Sequence, residues 1–159
     1  MQNQTVFSLS TFTSKPSAHA IIRGNATYPD LTGIVNFYQT NWGIGLMIEA
    51  EFTNLPNTPD NSPRFLGFHL HDEGDCTDNF ANTGMHYNPT GAVHPYHSGD
   101  FPAILNSSGY AYLAFYDSFL TLKQVLNRSV IVHSKRDDYT TQPSGDSGDK
   151  IGCGVVIQS

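Results

Sequence analysis

Six histidines and one aspartate in this sequence are of types that bind metal ions and fall close together, and their spacing suggests how. In the stretch Gly67-Phe68-His69-Leu70-His71-Asp72-Glu73-Gly74-Asp75-Cys76, apolar and imidazole side chains alternate from Phe68 to His71. Alternation with period two is the pattern of a β-strand, so Phe68 and Leu70 face one way and His69 and His71 the other. Two imidazoles on one strand face can converge on a single ion. Taken alone, they are equally well two surface histidines beside a core strand. The residues downstream decide for the ion. His86 follows in Gly84-Met85-His86-Tyr87-Asn88-Pro89, then His94, His97 and Asp100 crowd a short loop. His133 then ends the apolar run Val130-Ile131-Val132-His133, leaving His19 as the only histidine outside the set. Such clustering of ligand types is what a metal site requires.

These donors need a scaffold, and the composition indicates a β one. Hydrophobic residues make up 38% of the chain and charged residues only 14%, with 14 Gly and 9 Pro punctuating short runs. Many turns between short apolar runs favour an all-β sandwich or barrel over helices. Ala20–Gly24 and Gly33–Gln39 read as strands separated by the turn Tyr28-Pro29-Asp30. Asn41-Trp42-Gly43 reads as a hairpin turn leading into a third strand from Ile44 to Phe52, with Leu46, Ile48 and Ala50 on one face. These three are predicted to be consecutive antiparallel neighbours. After a Pro- and Asn-rich connection, Leu55–Pro63, comes the histidine strand Phe65–His71.

Asp72–Asn106 then lacks apolar periodicity. A segment that long inside a compact domain is either functional or disordered, and its ligand-type residues favour ordering by metal. Gly109–Phe115, Ser129–His133 and Cys153–Ile157 read as further strands, with a short helix or turn over Thr121–Leu126 and a second irregular segment over Ser134–Gly152. At 159 residues the chain suits one domain, assigned to residues 19–159 and preceded by a loose polar arm over 1–18.

Charge and hydropathy exclude several classes. The net charge of −6 comes without a basic stripe, which argues against nucleic acid as a partner. An anionic substrate would have to be drawn in by a local positive field against that background. No apolar run approaches the roughly 18 residues of a membrane span. Met1-Gln2-Asn3-Gln4-Thr5 has no basic start and no long apolar run, so a cytoplasmic location is expected if Met1 is the native start, and an exported one if a leader has been removed. Cys76 and Cys153 are either free thiols or a staple; spacing alone leaves both open.

Gly-Phe-His-Leu-His at 67–71, Gly-Met-His-Tyr-Asn-Pro at 84–89, His-Ser-Gly-Asp at 97–100, Val-His-Ser-Lys-Arg-Asp-Asp at 132–138 and Gly-Cys-Gly-Val at 152–155 occur in an order that resembles the copper/zinc superoxide dismutase family, in a bacterial-type variant with short loops. The resemblance runs from about His19 to Ile157. It implies an eight-stranded Greek-key β-barrel with two long functional loops. It implies His69, His71, His86 and His133 as copper ligands, and His86, His94, His97 and Asp100 as zinc ligands, with His86 as a bridging imidazolate. It further implies Asp137 as a carboxylate linking a copper histidine to a zinc histidine, and a Cys76–Cys153 disulfide. The implied reaction is dismutation of superoxide anion by Cu(II)/Cu(I) cycling, with His86 delivering a proton. Many relatives act as homodimers.

The donor chemistry agrees: four imidazoles suit copper in both oxidation states, and three His with one carboxylate suit a closed structural zinc site. Three features depart from the family pattern. Lys150 stands where an arginine is usual, keeping the charge that attracts the anion while losing the planar fork, so activity is expected to be retained at some cost in rate. His94 and His97 are only three apart, with Pro95 stiffening the loop. The segment after His133 is short, leaving Lys135 and Arg136 as sources of positive potential. The rival readings are a non-redox zinc enzyme using Glu73 as base and a copper carrier without turnover. The first leaves most of the histidines unexplained; the second lacks the methionines and CxxC of soft Cu(I) carriage.

Overall fold

The computed structural model describes residues 15–40, 45–57 and 65–159. The turn expected at Asn41-Trp42-Gly43, residues 1–14 of the arm and residues 58–63 of the Pro-rich connection lie outside the described residues.

Three consecutive strands, β1 (Ala18–Gly24), β2 (Thr32–Gln39) and β3 (Leu46–Thr53), form an antiparallel meander in continuous register, from Ala18 opposite Phe37 to Gln39 opposite Leu46. The expected inward face of the third strand is buried: Leu46, Ile48, Ala50 and Phe52 are each fully excluded from solvent. The histidine strand is interrupted at Gly67, giving β4 (Phe65–Leu66) and β5 (Phe68–His71). Then follow β6 (Ile104–Leu105), β7 (Ala111–Asp117), β8 (Ser129–His133), β9 (Lys150–Val155) and β10 (Ile157–Gln158). A single helical turn, α1 (Leu122–Val125), precedes β8.

Among the described residues the main sheet has eight strands, ordered β5-β8-β9-β1-β2-β3-β7 with β10 against β1, and β4 pairs separately with β6. Every pairing is antiparallel, yet β9 lies beside β1 and β7 beside β3, so the chain crosses the barrel ends in Greek-key fashion. The curled sheet encloses a core in which Phe52, Phe68, Phe101 and Phe115 pack in sequence, with ring centroids 5.3–5.6 Å apart. Among the described residues no helix is long and apolar enough to cross a membrane.

One detail differs from the simple alternation pattern. A half-buried strand exposes alternate residues, but all four residues of β5 are buried. Phe68 and Leu70 face the core, while the segments 72–103 and 134–149 cover the histidine side. Those two irregular segments are therefore ordered walls of a buried compartment.

Candidate metal centre

β5 is an edge strand, and its two edges gather the donors. On one side β8 pairs with it, placing Phe68 opposite Val132, and the His133 N–H donates to Gly67 O at 2.9 Å. On the other side the long loop supplies the missing ladder. The Leu70 N–H donates to Gly99 O (2.9 Å), the Tyr87 N–H to Leu70 O (2.8 Å), and the Phe101 N–H to Phe68 O (3.3 Å). These bonds set His71 opposite His86 and His69 opposite Asp100 as isolated bridges. Gly99 is required here, because a Cβ at that position would collide with Leu70 O.

Two four-residue donor groups result. His69, His71, His86 and His133 form one; His86, His94, His97 and Asp100 form the other. Within each group one donor atom per residue lies within 4.8 Å of all the others, and His86 belongs to both. The His86 ring stacks on His69 with centroids 3.9 Å apart and lies 5.6 Å from the His97 ring.

Hydrogen bonds on the far side of the rings leave one nitrogen of each pointing inward. His71 Nδ1–H donates to Gly84 O (3.0 Å) and His133 Nδ1–H to Gly148 O (3.1 Å). Asp137 accepts from His69 Nε2–H at 2.8 Å through one carboxylate oxygen and from His94 Nε2–H at 2.9 Å through the other. His86 Nδ1 lies 2.7 Å from Asp100 Oδ1, a side-chain hydrogen bond made within a donor group. A neutral imidazole carries one proton, so the opposite nitrogen of each of these rings keeps its lone pair. His69 Nδ1, His71 Nε2, His86 Nε2, His94 Nδ1, His97 Nδ1 and His133 Nε2 are all buried without a hydrogen-bond partner. His94 Nδ1 is 3.1 Å from Asp100 Oδ2 and His97 Nδ1 3.3 Å from Asp100 Oδ1, without hydrogen-bond geometry. Buried nitrogens without partners are costly unless something fills the space between them. Six convergent lone pairs and a carboxylate fit two transition-metal or zinc ions.

Burial favours the neutral, coordinating form of His69, His71 and His133. Burial pushes His69 down to about 4 despite the pull of Asp137, and pushes His133 down to about 3. His71 falls well below the ordinary range for the same reason, with the neighbouring imidazoles adding to it. Burial opposes ionisation of Asp137, but hydrogen bonds from His69, the Tyr139 N–H and His94 outweigh it and hold the group down to about 2.

Lys150 rises from β9 beside this compartment. Its ammonium donates to Thr83 Oγ1 (2.7 Å), Gly84 O (3.1 Å) and Phe80 O (3.3 Å), and burial lowers its pKa. An ammonium has three N–H donors, so all of them are engaged by the protein. Cys76 and Cys153 are joined in a disulfide across 77 positions, resolving the alternative that spacing left open. Glu73, the base of the rival zinc-enzyme reading, is exposed and belongs to neither donor group. Lys135 and Arg136 are exposed on the loop after β8. His19 lies apart, its Nδ1 2.7 Å from Ser159 Oγ. The backbone acceptors Gly84 O and Gly148 O were not foreseeable from residue types, because a carbonyl leaves no mark in a sequence.

A Greek-key barrel carrying two adjoining His-rich donor groups that share one imidazole defines a two-metal β-protein. Residues 31–156 match the family model described as copper/zinc superoxide dismutase. A Cu-Zn superoxide dismutase of Legionella pneumophila is 35% identical over 80% of this chain and 79% of its own length. A second such protein, from Aquifex aeolicus, is 29% identical over 92% of the chain and 90% of its own. An extracellular Cu-Zn superoxide dismutase of Rattus norvegicus is 32% identical over 80% of the chain and 55% of its own. The chain belongs to the copper/zinc superoxide dismutase family.

Proposed function

We propose that the protein dismutates superoxide, with copper held by His69, His71, His86 and His133 and zinc by His86, His94, His97 and Asp100. The observation that carries this reading is the set of six buried, partnerless imidazole nitrogens in two groups sharing His86. Copper bound there supplies one-electron chemistry, Cu(II)/Cu(I) cycling converting two superoxide anions and two protons into dioxygen and hydrogen peroxide. His86 is the proton carrier in this scheme: Nδ1 faces the Asp100 group, leaving Nε2 to take up and give back a proton beside the other three imidazoles. His69, His71, His94 and His133 hold position, because backbone carbonyls and Asp137 fix their tautomers. The test is superoxide dismutation by the copper- and zinc-loaded protein; fast turnover is expected, and bound copper without turnover would favour the carrier reading.

Lys150 acts in this reading through its field. Its charge lies close enough to depress His71 and His133, while its N–H donors are occupied, so it attracts anions without a free donor to hold them. Lys150→Gln is expected to lower kcat/KM by roughly tenfold, at the low end of steering effects, and to flatten its dependence on ionic strength. Rate measurements across a salt series check both.

Asp137→Asn keeps the shape but replaces one acceptor oxygen by an NH2 group. That NH2 would face a ring N–H, forcing either His69 or His94 into the tautomer that protonates its inward nitrogen. Loss of about 10–100-fold in metal affinity is expected, which chelator competition measures.

Residues 19–159 are proposed as one domain. The homodimer common among relatives is likewise a proposal, checked by sedimentation.

A further inference from the structure

The loop between β8 and β9 grips His94 more firmly than its role as one donor among seven suggests. The Gln142 side-chain amide binds both backbone groups of that residue: the His94 N–H donates to Gln142 Oε1 at 3.0 Å, and Gln142 Nε2 donates to His94 O at 2.7 Å. Asp137 holds the ring of the same histidine at Nε2. Gly145 closes the grip. It adopts φ +67°, and a Cβ there would collide with the Asp137 carboxylate and lie 2.8 Å from His94 Nε2. Backbone bonds from the Gly145 N–H to Thr141 O (2.7 Å) and from the Asp138 N–H to Gly145 O (2.9 Å) fold the loop around these contacts.

Only Pro95 and Tyr96 separate His94 from His97, and the loop's own bonds, such as Tyr96 N–H to Val93 O and those from the Asn88 side chain to Ala92, fall on its neighbours, whereas the bonds to the His94 backbone come from Gln142. Gln142 is exposed and adds nothing to the core; ordering its long side chain is offset by the two bonds it makes to His94.

We propose that Gln142 is a positioning residue for zinc, aiming His94 Nδ1 at the group formed with His86, His97 and Asp100 from outside that group. The inference rests on the zinc assignment above. It extends that assignment by linking the second loop to the zinc half of the centre through a backbone clamp, separately from the Asp137 carboxylate. It also predicts selectivity: the copper group contains no residue that Gln142 touches.

The test compares Gln142→Met, which matches the length and removes both hydrogen bonds to His94, with the unaltered protein and with His94→Ala. Zinc affinity is read by competition with a chromophoric chelator, and site geometry by the visible spectrum of cobalt(II) bound in place of zinc. Loss of a partner outside the ligand set commonly weakens metal binding by 10–100-fold, and Gln142→Met is expected at the lower end, about tenfold. Weakened tetrahedral cobalt bands and copper affinity within about twofold of the unaltered protein are expected alongside it. Unchanged zinc affinity with a lowered melting temperature of the metal-free protein would overturn the clamp and leave an ordinary loop contact. Equal losses for zinc and copper would overturn its selectivity. Zinc affinity unmoved by His94→Ala would instead overturn the zinc assignment itself.

Discussion

His71→Ala is expected to abolish dismutation while leaving a folded protein. His71 is buried at the end of β5, its Nδ1–H tied to Gly84 O and its Nε2 aimed into the four-histidine group. Alanine removes a donor outright and leaves three imidazoles around a space shaped for four. Altering residues behind a ligand costs about 10–100-fold in affinity or activity, so removing the ligand itself should exceed that range. The barrel should survive, because β5 keeps its backbone pairing to β8 and the core face of Phe68 and Leu70 is untouched. Copper titration, zinc titration and superoxide turnover on one preparation separate the possibilities. Loss of copper binding and turnover with zinc binding retained supports the assignment. Fast turnover in the variant would overturn it.

The second large effect is expected from the disulfide. Replacing Cys76 and Cys153 together by serine avoids a stray thiol and opens a loop spanning 77 positions. In the chain-entropy description that loosens the unfolded chain by roughly 4 kcal/mol. For a protein of this size such a loss corresponds to a melting temperature lower by roughly 10 °C. The bond also does local work. Cys76 leads into the segment carrying Phe80 O, Thr83 and Gly84 O, which hold Lys150; Gly84 O also orients His71. Cys153 lies three residues beyond Lys150 on β9, opposite Ile131, and Phe80 packs on both Ile131 and Cys153. Cutting the disulfide should therefore lower turnover as well as stability. Thermal unfolding and turnover of the double variant measure the two effects. A melting temperature within about 2 °C of the unaltered protein would mean that Phe80 packing and the Lys150 bonds hold the segment without the disulfide.

Much of this architecture was legible in the chain. Ser129–His133 was read with its observed bounds, and the three-strand meander was read to within a residue or two at each edge in the described residues, because period-two burial leaves a direct trace in residue types. The break at Gly67 was not legible. It depends on a Gly67 O that accepts from His133 and a Gly67 N–H that donates to Lys135 O, contacts made by strand and loop in three dimensions. The last strand was placed from Cys153, whereas β9 starts at Lys150, since pairing of Lys150 with His133 extends it backward past a sequence that looks irregular.

Which residues are candidate donors was legible from their types and order: imidazoles at 69, 71, 86, 94, 97 and 133 and a carboxylate at 100 stand out without a fold. How each donor is aimed was decided only by tertiary structure. Gly84 O, Gly148 O and Asp137 select tautomers and ring directions, and the Gln142 amide binds the His94 backbone, through hydrogen bonds between residues 13 to 68 positions apart. Such bonds have no period and no preferred spacing. They exist because two irregular loops are folded over the outer face of β5, where a lone pair without a hydrogen-bond partner is favourable only if a metal ion fills the space.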